Sequence, residues 1–212
     1  MTSEQSSYRV VRLYLENGSI LAHEFAAPGS VHGVIWLGSA RGGLDSPARD
    51  LFDHLATNLT RQGITSLRLR YRTPEDLDHC VEDALVGIQF LTQNGIQGVV
   101  LVGYSQGGAV AIEAGASAPD AVIGIAVVAS QSFGTGAVNR LAPRPILIVQ
   151  GENDQVVPAD CANYIYDKAQ EPKQLVVIPG ADHTFNTSAT ELGNVLESFV
   201  QECFRGKQAN AA

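Results

Sequence analysis

Between Val99 and Ser117 the chain reads VVLVGYSQGGAVAIEAGAS. The first part is an unbroken apolar run, as in a strand buried on both faces of a sheet. The second part reads as a helix. At the handover, Ser105 stands between Gly103 on one side and Gly107 and Gly108 on the other, in the pattern G-x-S-x-G. Such a turn from strand to helix lifts a hydroxyl above the sheet edge and crowds the flanking backbone, so neighbouring positions tolerate little more than a hydrogen. A serine there also lies at a helix N-terminus, where unpaired N–H groups and the helix dipole favour developing negative charge. The alternative is a glycine-rich junction with a capping serine, and the choice rests on whether partners exist elsewhere.

Outward from this stretch the chain alternates. Strands are expected at Val31–Gly38, Ile64–Tyr71, Ala121–Ala129, Pro145–Gln150 and Gln174–Ile178. Helices are expected at Pro47–Gly63, Pro74–Gln93, Ser105–Ser117, Ala159–Ala169 and Ser188–Phe204, several with apolar residues at three- and four-residue spacing. Near the start, Arg9–Glu16 and Ser19–Ala26 flank Asn17-Gly18, a hairpin turn pair that tolerates positive φ. A hairpin followed by repeated β–α units predicts an α/β fold, a mostly parallel sheet with helices on both faces. No repeat or low-complexity linker divides the chain. Residues 1–212 are expected to form one domain, with frayed tails at about 1–7 and 206–212.

Composition narrows the function classes. The chain holds 14 Lys+Arg against 22 Asp+Glu, a net charge of −8, which argues against nucleic acid or a membrane surface as partner. Cys80, Cys161 and Cys203 are far apart and form no CxxC pair. That spacing excludes a disulfide framework, disfavours a zinc site and fits a reducing cytoplasm. No secretory signal is visible, and no apolar run reaches the ~20 residues that span a bilayer. The expectation is a soluble cytoplasmic protein, monomer or homodimer, acting on a small molecule.

A serine hydroxyl is a poor nucleophile until a base takes its proton, and the base needs an orienting carboxylate. Of the five histidines, His23 lies in the hairpin, His32 opens a strand, and His54 and His79 fall on helices. His183 differs. It sits in VVIPGADHTFN, just past the last expected strand, and loops at the carboxyl ends of parallel strands are where such sheets carry their chemistry. His183 is therefore the candidate base. The segment PILIVQGENDQVVP offers Glu152 and Asp154 after another strand. Asp154 is preferred because it lies deeper in its loop, although Asn153-Asp154 is also turn chemistry. Asp182 would have to fold back onto its own neighbour.

The order Ser105, Asp154, His183, each following a strand, resembles the α/β-hydrolase superfamily over nearly the whole chain. The likeness is greatest to its small, lidless dienelactone-hydrolase-like and carboxylesterase-like members. It implies an eight-strand-type sheet, a nucleophile elbow at Gly103–Gly107, and acyl-enzyme hydrolysis of a small ester, thioester or lactone with no cofactor or metal. One departure stands out: dienelactone hydrolases proper carry cysteine where this chain has Ser105, which favours a serine esterase. The oxyanion hole is expected to use the Gln106 N–H and a second N–H, from Ser39 or Ala40, in the loop Gly38–Gly43. Relatives often have His-Gly at the head of that loop; here it is Leu37-Gly38, a change that leaves backbone donors intact. Ser130–Pro143 is too short for a lid. Phe133 and Phe185 are candidates to line a substrate pocket, and Arg41 to hold a substrate carboxylate. Arg68, Arg70 and Arg72 receive no role, and Cys80 is expected to be an inert helix residue. The contrasting reading is a non-catalytic binding or scaffold protein on the same fold.

Overall fold

The computed structural model describes residues 8–16 and 18–210. Eight strands form one sheet: β1 (Arg9–Leu15), β2 (Gly18–Phe25), β3 (His32–Leu37), β4 (Thr65–Leu69), β5 (Gly98–Tyr104), β6 (Val122–Val128), β7 (Ile146–Gly151) and β8 (Lys173–Ile178). Their spatial order is β1-β2-β4-β3-β5-β6-β7-β8. The pairs β1–β2 and β2–β4 are antiparallel, and every pair from β4–β3 onward is parallel.

The unbroken apolar runs have a simple cause. Side chains alternate across a strand, so a strand covered on both faces must be apolar at every position. In β3, Ile35 and Leu37 enter one core while Val34 and Trp36 enter the other; in β5, Val99 and Leu101 oppose Val100 and Val102. The first core is roofed by α2 (Leu77–Gln93), α3 (Gln106–Ser117) and α4 (Ala159–Lys168), the second by α1 (Leu51–Arg61) and α5 (Ala189–Asn210). Each fully buried Leu, Ile, Val or Phe contributes about 1.5–3 kcal/mol, so most of the folding free energy resides in these two layers. The helices on both faces and the antiparallel hairpin at one edge match the expected α/β architecture. Ser130–Pro143 holds only a short 3₁₀ turn at Gly136–Arg140, and among the described residues no lid covers the sheet edge.

Three helix boundaries differ from the sequence expectation by three residues or more. The first helix starts at Leu51, not Pro47, because Ala48 (φ 49°) and Arg49 (φ 64°) are left-handed. The Ala48 N–H donates instead to the Thr184 carbonyl at 2.6 Å, a tertiary contact that holds the segment out of the helix. The second helix starts at Leu77, capped by the Asp76 side chain, which accepts from the His79 N–H at 3.1 Å. The last helix continues to Asn210, so 206–210, expected to fray, are helical. Residues 1–7, 211 and 212 of the expected tails, and Asn17 of the hairpin turn, lie outside the described residues. Among those described, no helix is long and apolar enough to cross a membrane.

Cys80 and Cys203 are buried, and burial pushes both thiols up to about 12; Cys161 is partly exposed. Only a thiolate attacks a disulfide reagent readily. At pH 8 the native protein is therefore expected to react with Ellman's reagent at Cys161 alone, the two buried thiols titrating only after denaturation. Rapid reaction of more than one thiol in the native state would contradict this burial.

Candidate active site

Ser105 joins β5 to α3 with φ 55° and ψ −120°, a conformation rare for a residue with a side chain. Its surroundings leave the backbone no other path. The Ser105 N–H donates to the Val128 carbonyl at 2.9 Å, and its own carbonyl accepts from the Gly108 N–H at 3.0 Å. A Cβ added at Gly103 would lie 2.0 Å from the Gly107 carbonyl oxygen, and one at Gly107 would lie 2.2 Å from that of Leu37. At Gly108 it would meet the Ser130 hydroxyl at 2.4 Å. The glycines flank the serine because backbone lies directly against backbone there.

His183 lies in the loop after β8 and Asp154 in the loop after β7. His183 Nδ1 is 2.8 Å from Asp154 Oδ2. The Asp154 carboxylate is wholly buried, with its side chain 0% exposed against 14% for His183. Asp154 Oδ1 accepts from the N–H groups of Val156 and Val157, both at 2.8 Å, and Oδ2 also accepts from Gln150 Nε2 at 3.3 Å. The turn chemistry of Asn153-Asp154 and the contact to histidine thus coexist: one oxygen folds the loop and the other faces the ring. Buried charge is tolerated because each oxygen is hydrogen-bonded.

The neighbouring acids are spent elsewhere. Glu152 Oε2 accepts from the Gly180 N–H at 2.8 Å and ties the loops after β7 and β8 together. Asp182 accepts from the Thr184 hydroxyl at 2.7 Å and from the Thr184 and Phe185 N–H groups at 2.9 and 3.0 Å. The Thr184 hydroxyl is the main cause that holds the Asp182 carboxyl below its ordinary range.

One contributor was invisible to sequence reasoning. The Tyr104 hydroxyl donates to the His183 carbonyl at 3.2 Å, and its ring lies 5.3 Å from the imidazole, centroid to centroid. Burial pushes the Tyr104 phenol up to about 12, which keeps it a protonated donor. The signal available was only its place beside the serine.

The loop from Gly38 to Asp45 faces Ser105 from β3. The Ser39 N–H donates to Asp45 Oδ1 at 3.0 Å and the Ser39 hydroxyl to Asp45 Oδ2 at 2.5 Å. Among the described residues the Ala40 N–H has no acceptor, and the Gln106 N–H, first in α3, has none within its helix. Arg68, buried on β4, fixes the far end of this loop by hydrogen-bonding the Leu44 carbonyl while it pairs with Asp53.

Ser39, Ala40, Arg41, Ser105, Gln106 and His183 all line one cavity of about 640 Å³. The two phenylalanines do not. Phe185, at φ 56°, turns back beneath the loop and is 0% exposed in the core with Leu192, because the chain reverses directly after His183. Phe133 is 76% exposed and faces solvent. Phe185, expected to line a substrate pocket, is thus sealed in the core instead, and Phe133 does not border this cavity. None of the other histidines reaches this cavity: His23 stacks on Tyr8, His32 stacks on Phe204, His54 is exposed on α1, and His79 pairs with Asp76. Among the described residues no group of His, Cys, Asp and Glu is arranged to hold a metal ion.

A mostly parallel eight-stranded sheet with a strained serine turn after β5, and acid and histidine in the loops after β7 and β8, defines an α/β-hydrolase fold. The family model described as the dienelactone hydrolase family matches residues 48–208, and the chain belongs to that family. Among solved structures it is similar to a dienelactone hydrolase from Anabaena variabilis, with TM-score 0.78 and 18% identity over 92% of this chain and 97% of that one. It is also similar to XC6422 from Xanthomonas campestris, described as a serine hydrolase without lid, with TM-score 0.74 and 17% identity over 95% and 97% of the two chains. At such identities the likeness speaks for the fold. A curated relative, the uncharacterized protein YfhR of Escherichia coli, is 34% identical over 50 residues, which is 24% of this chain and 18% of YfhR. Family membership supports hydrolase chemistry.

Gly107→Ala forces a methyl group onto the Leu37 carbonyl. Overpacking of this kind typically costs about 1–3 kcal/mol, and more where the obstacle is backbone. Urea unfolding is expected to show at least that loss, whereas Gly206→Ala, where an added Cβ meets nothing, should leave the midpoint near wild type.

Proposed function

We propose that the chain is a serine hydrolase that cleaves a small ester, thioester or lactone through an acyl-enzyme. The observation that carries this reading is the 2.8 Å contact between His183 and the buried Asp154 carboxylate, with His183 lining the same cavity as Ser105. With Nδ1 facing Asp154, the His183 ring carries its proton on that nitrogen and leaves Nε2 free to accept the Ser105 proton. Asp154 holds that tautomer and stabilises the imidazolium as it forms. Its two backbone donors prevent the carboxylate from rotating away.

Attack by Ser105 on the carbonyl carbon drives negative charge onto the carbonyl oxygen. Two donors receive it in this reading: the Gln106 N–H at the head of α3, and the Ala40 N–H, since the Ser39 N–H is already held by Asp45. Removing one such donor typically raises the barrier by about 3–4 kcal/mol. His183 then protonates the leaving alcohol or thiol, and water activated by the same ring releases the acyl group. The short Ser130–Pro143 segment leaves the cavity open, so a substrate reaches Ser105 without displacing a lid. A binding or scaffold role would place no demand on a buried carboxylate aimed at an imidazole.

A fluorophosphonate probe is expected to label Ser105 stoichiometrically, and p-nitrophenyl butyrate to give a burst of p-nitrophenol. Ser105→Ala should abolish both, and Asp154→Asn should lower kcat roughly 10⁴-fold with little change in fold. Folded wild-type protein that neither labels nor turns over any ester of a p-nitrophenyl series, together with thioesters and lactones, would sink the assignment in favour of a binding role.

A further inference from the structure

The cations of this acidic chain are unevenly compensated. Arg9 pairs with Glu24, Arg68 with Asp53, Arg72 with Glu82 and Asp83, and Arg140 with Glu113. Arg144 and Lys173 donate to backbone carbonyls. Among the described residues, the exposed guanidiniums of Arg41, Arg49, Arg70 and Arg205 donate to no acceptor. Arg205 lies on α5, apart from the others. Arg41 and Arg49 line the cavity that holds Ser105, and Arg41 and Arg70 line a cleft of about 510 Å³ that adjoins it through Arg41.

Neither space supplies the missing counter-charge. No carboxylate lines the adjoining cleft. The cavity contains Asp45, but both its oxygens are engaged by Ser39. Arg49 is also held at the rim against its own backbone preference, at φ 64°, by the Ala48–Thr184 hydrogen bond. In a chain of net charge −8, arginines left together without acids mark a place prepared for an anion.

The number of guanidiniums selects the anion. A carboxylate has one charge and two oxygens and is answered by one bidentate arginine. Two unpaired arginines on one cleft, with a third across the shared Arg41, match a dianion with three terminal oxygens. We infer that the ester cleaved at Ser105 carries a phosphoryl group, seated against Arg41 and Arg70. This rests on the hydrolase reading above and names its substrate class. Hydrolysis breaks the acyl C–O bond, water giving its hydroxyl to the acyl group and a proton to the phosphorylated alcohol. The phosphate itself is untouched.

The test compares three butyryl esters by butyrate release: 1-butyrylglycerol 3-phosphate, neutral 1-butyrylglycerol, and 3-butyryloxy-2-hydroxypropanoate, in which a carboxylate replaces the phosphate. The phosphoryl ester is expected to exceed the neutral one in kcat/KM by about tenfold or more, with the carboxylate well below it, and the advantage should shrink with salt. Arg70→Gln should collapse the ratio of phosphoryl to neutral ester, whereas Arg205→Gln, on α5, should leave it intact. Glycerol 3-phosphate should compete with p-nitrophenyl butyrate. Equal rates for the phosphoryl and neutral esters, a preference for the carboxylate, or a ratio indifferent to Arg70→Gln would overturn the inference while leaving the hydrolase intact. Absence of all ester cleavage and of fluorophosphonate labelling would instead overturn the hydrolase reading, and this inference with it.

Discussion

The contact on which the site depends is one of backbone against backbone. Gly107 lies so close to the carbonyls of Leu37 and Gly38 that no side chain fits between them. That approach brings α3, β5 and the end of β3 to one point, and it forces Ser105 into a left-handed conformation that its own chemistry disfavours. Packing of the two apolar layers supplies the free energy that holds the strain. Without it, the turn would relax and the hydroxyl would sink toward the sheet. Packing in the core and the strained turn at the edge are therefore two ends of one arrangement.

Around that point the site is held by polar contacts that leave their members little freedom. Asp45 clasps Ser39, Arg68 holds the Leu44 carbonyl, Glu152 joins the last two loops, and Asp154 is locked by two N–H groups. Few of these side chains point at the cavity. Their effect is to fix loops that would otherwise wander, so that donors and acceptors stand in position before any substrate arrives, which is where most of the advantage of such sites originates.

Much of this was legible in the sequence because the physical causes were local. Strands buried on two faces must be apolar throughout, and β3, β5 and β6 read that way. The strained turn needs small neighbours, and Gly103 and Gly107 announce it. Depth in the loop favoured Asp154 over Glu152, and it is the Asp154 carboxylate that faces the His183 ring. The rest depended on contacts between distant segments. Pro47 looks like a helix start, but a hydrogen bond from Ala48 to Thr184, far along the chain, delays the helix to Leu51. Phe185 sits beside the histidine in sequence, yet a reversal at that residue sends its ring into the core. Whether the Ser39 amide was free depended on where the Asp45 side chain turned, which no periodicity reports.

The brace from Tyr104 to His183 has a mechanical meaning. The residue covalently joined to the serine also grips the strand of chain that bears the imidazole, through a hydroxyl and a ring face. The turn that bears Ser105 and the loop that bears His183 are thereby fastened to each other directly, and not only through the sheet beneath them.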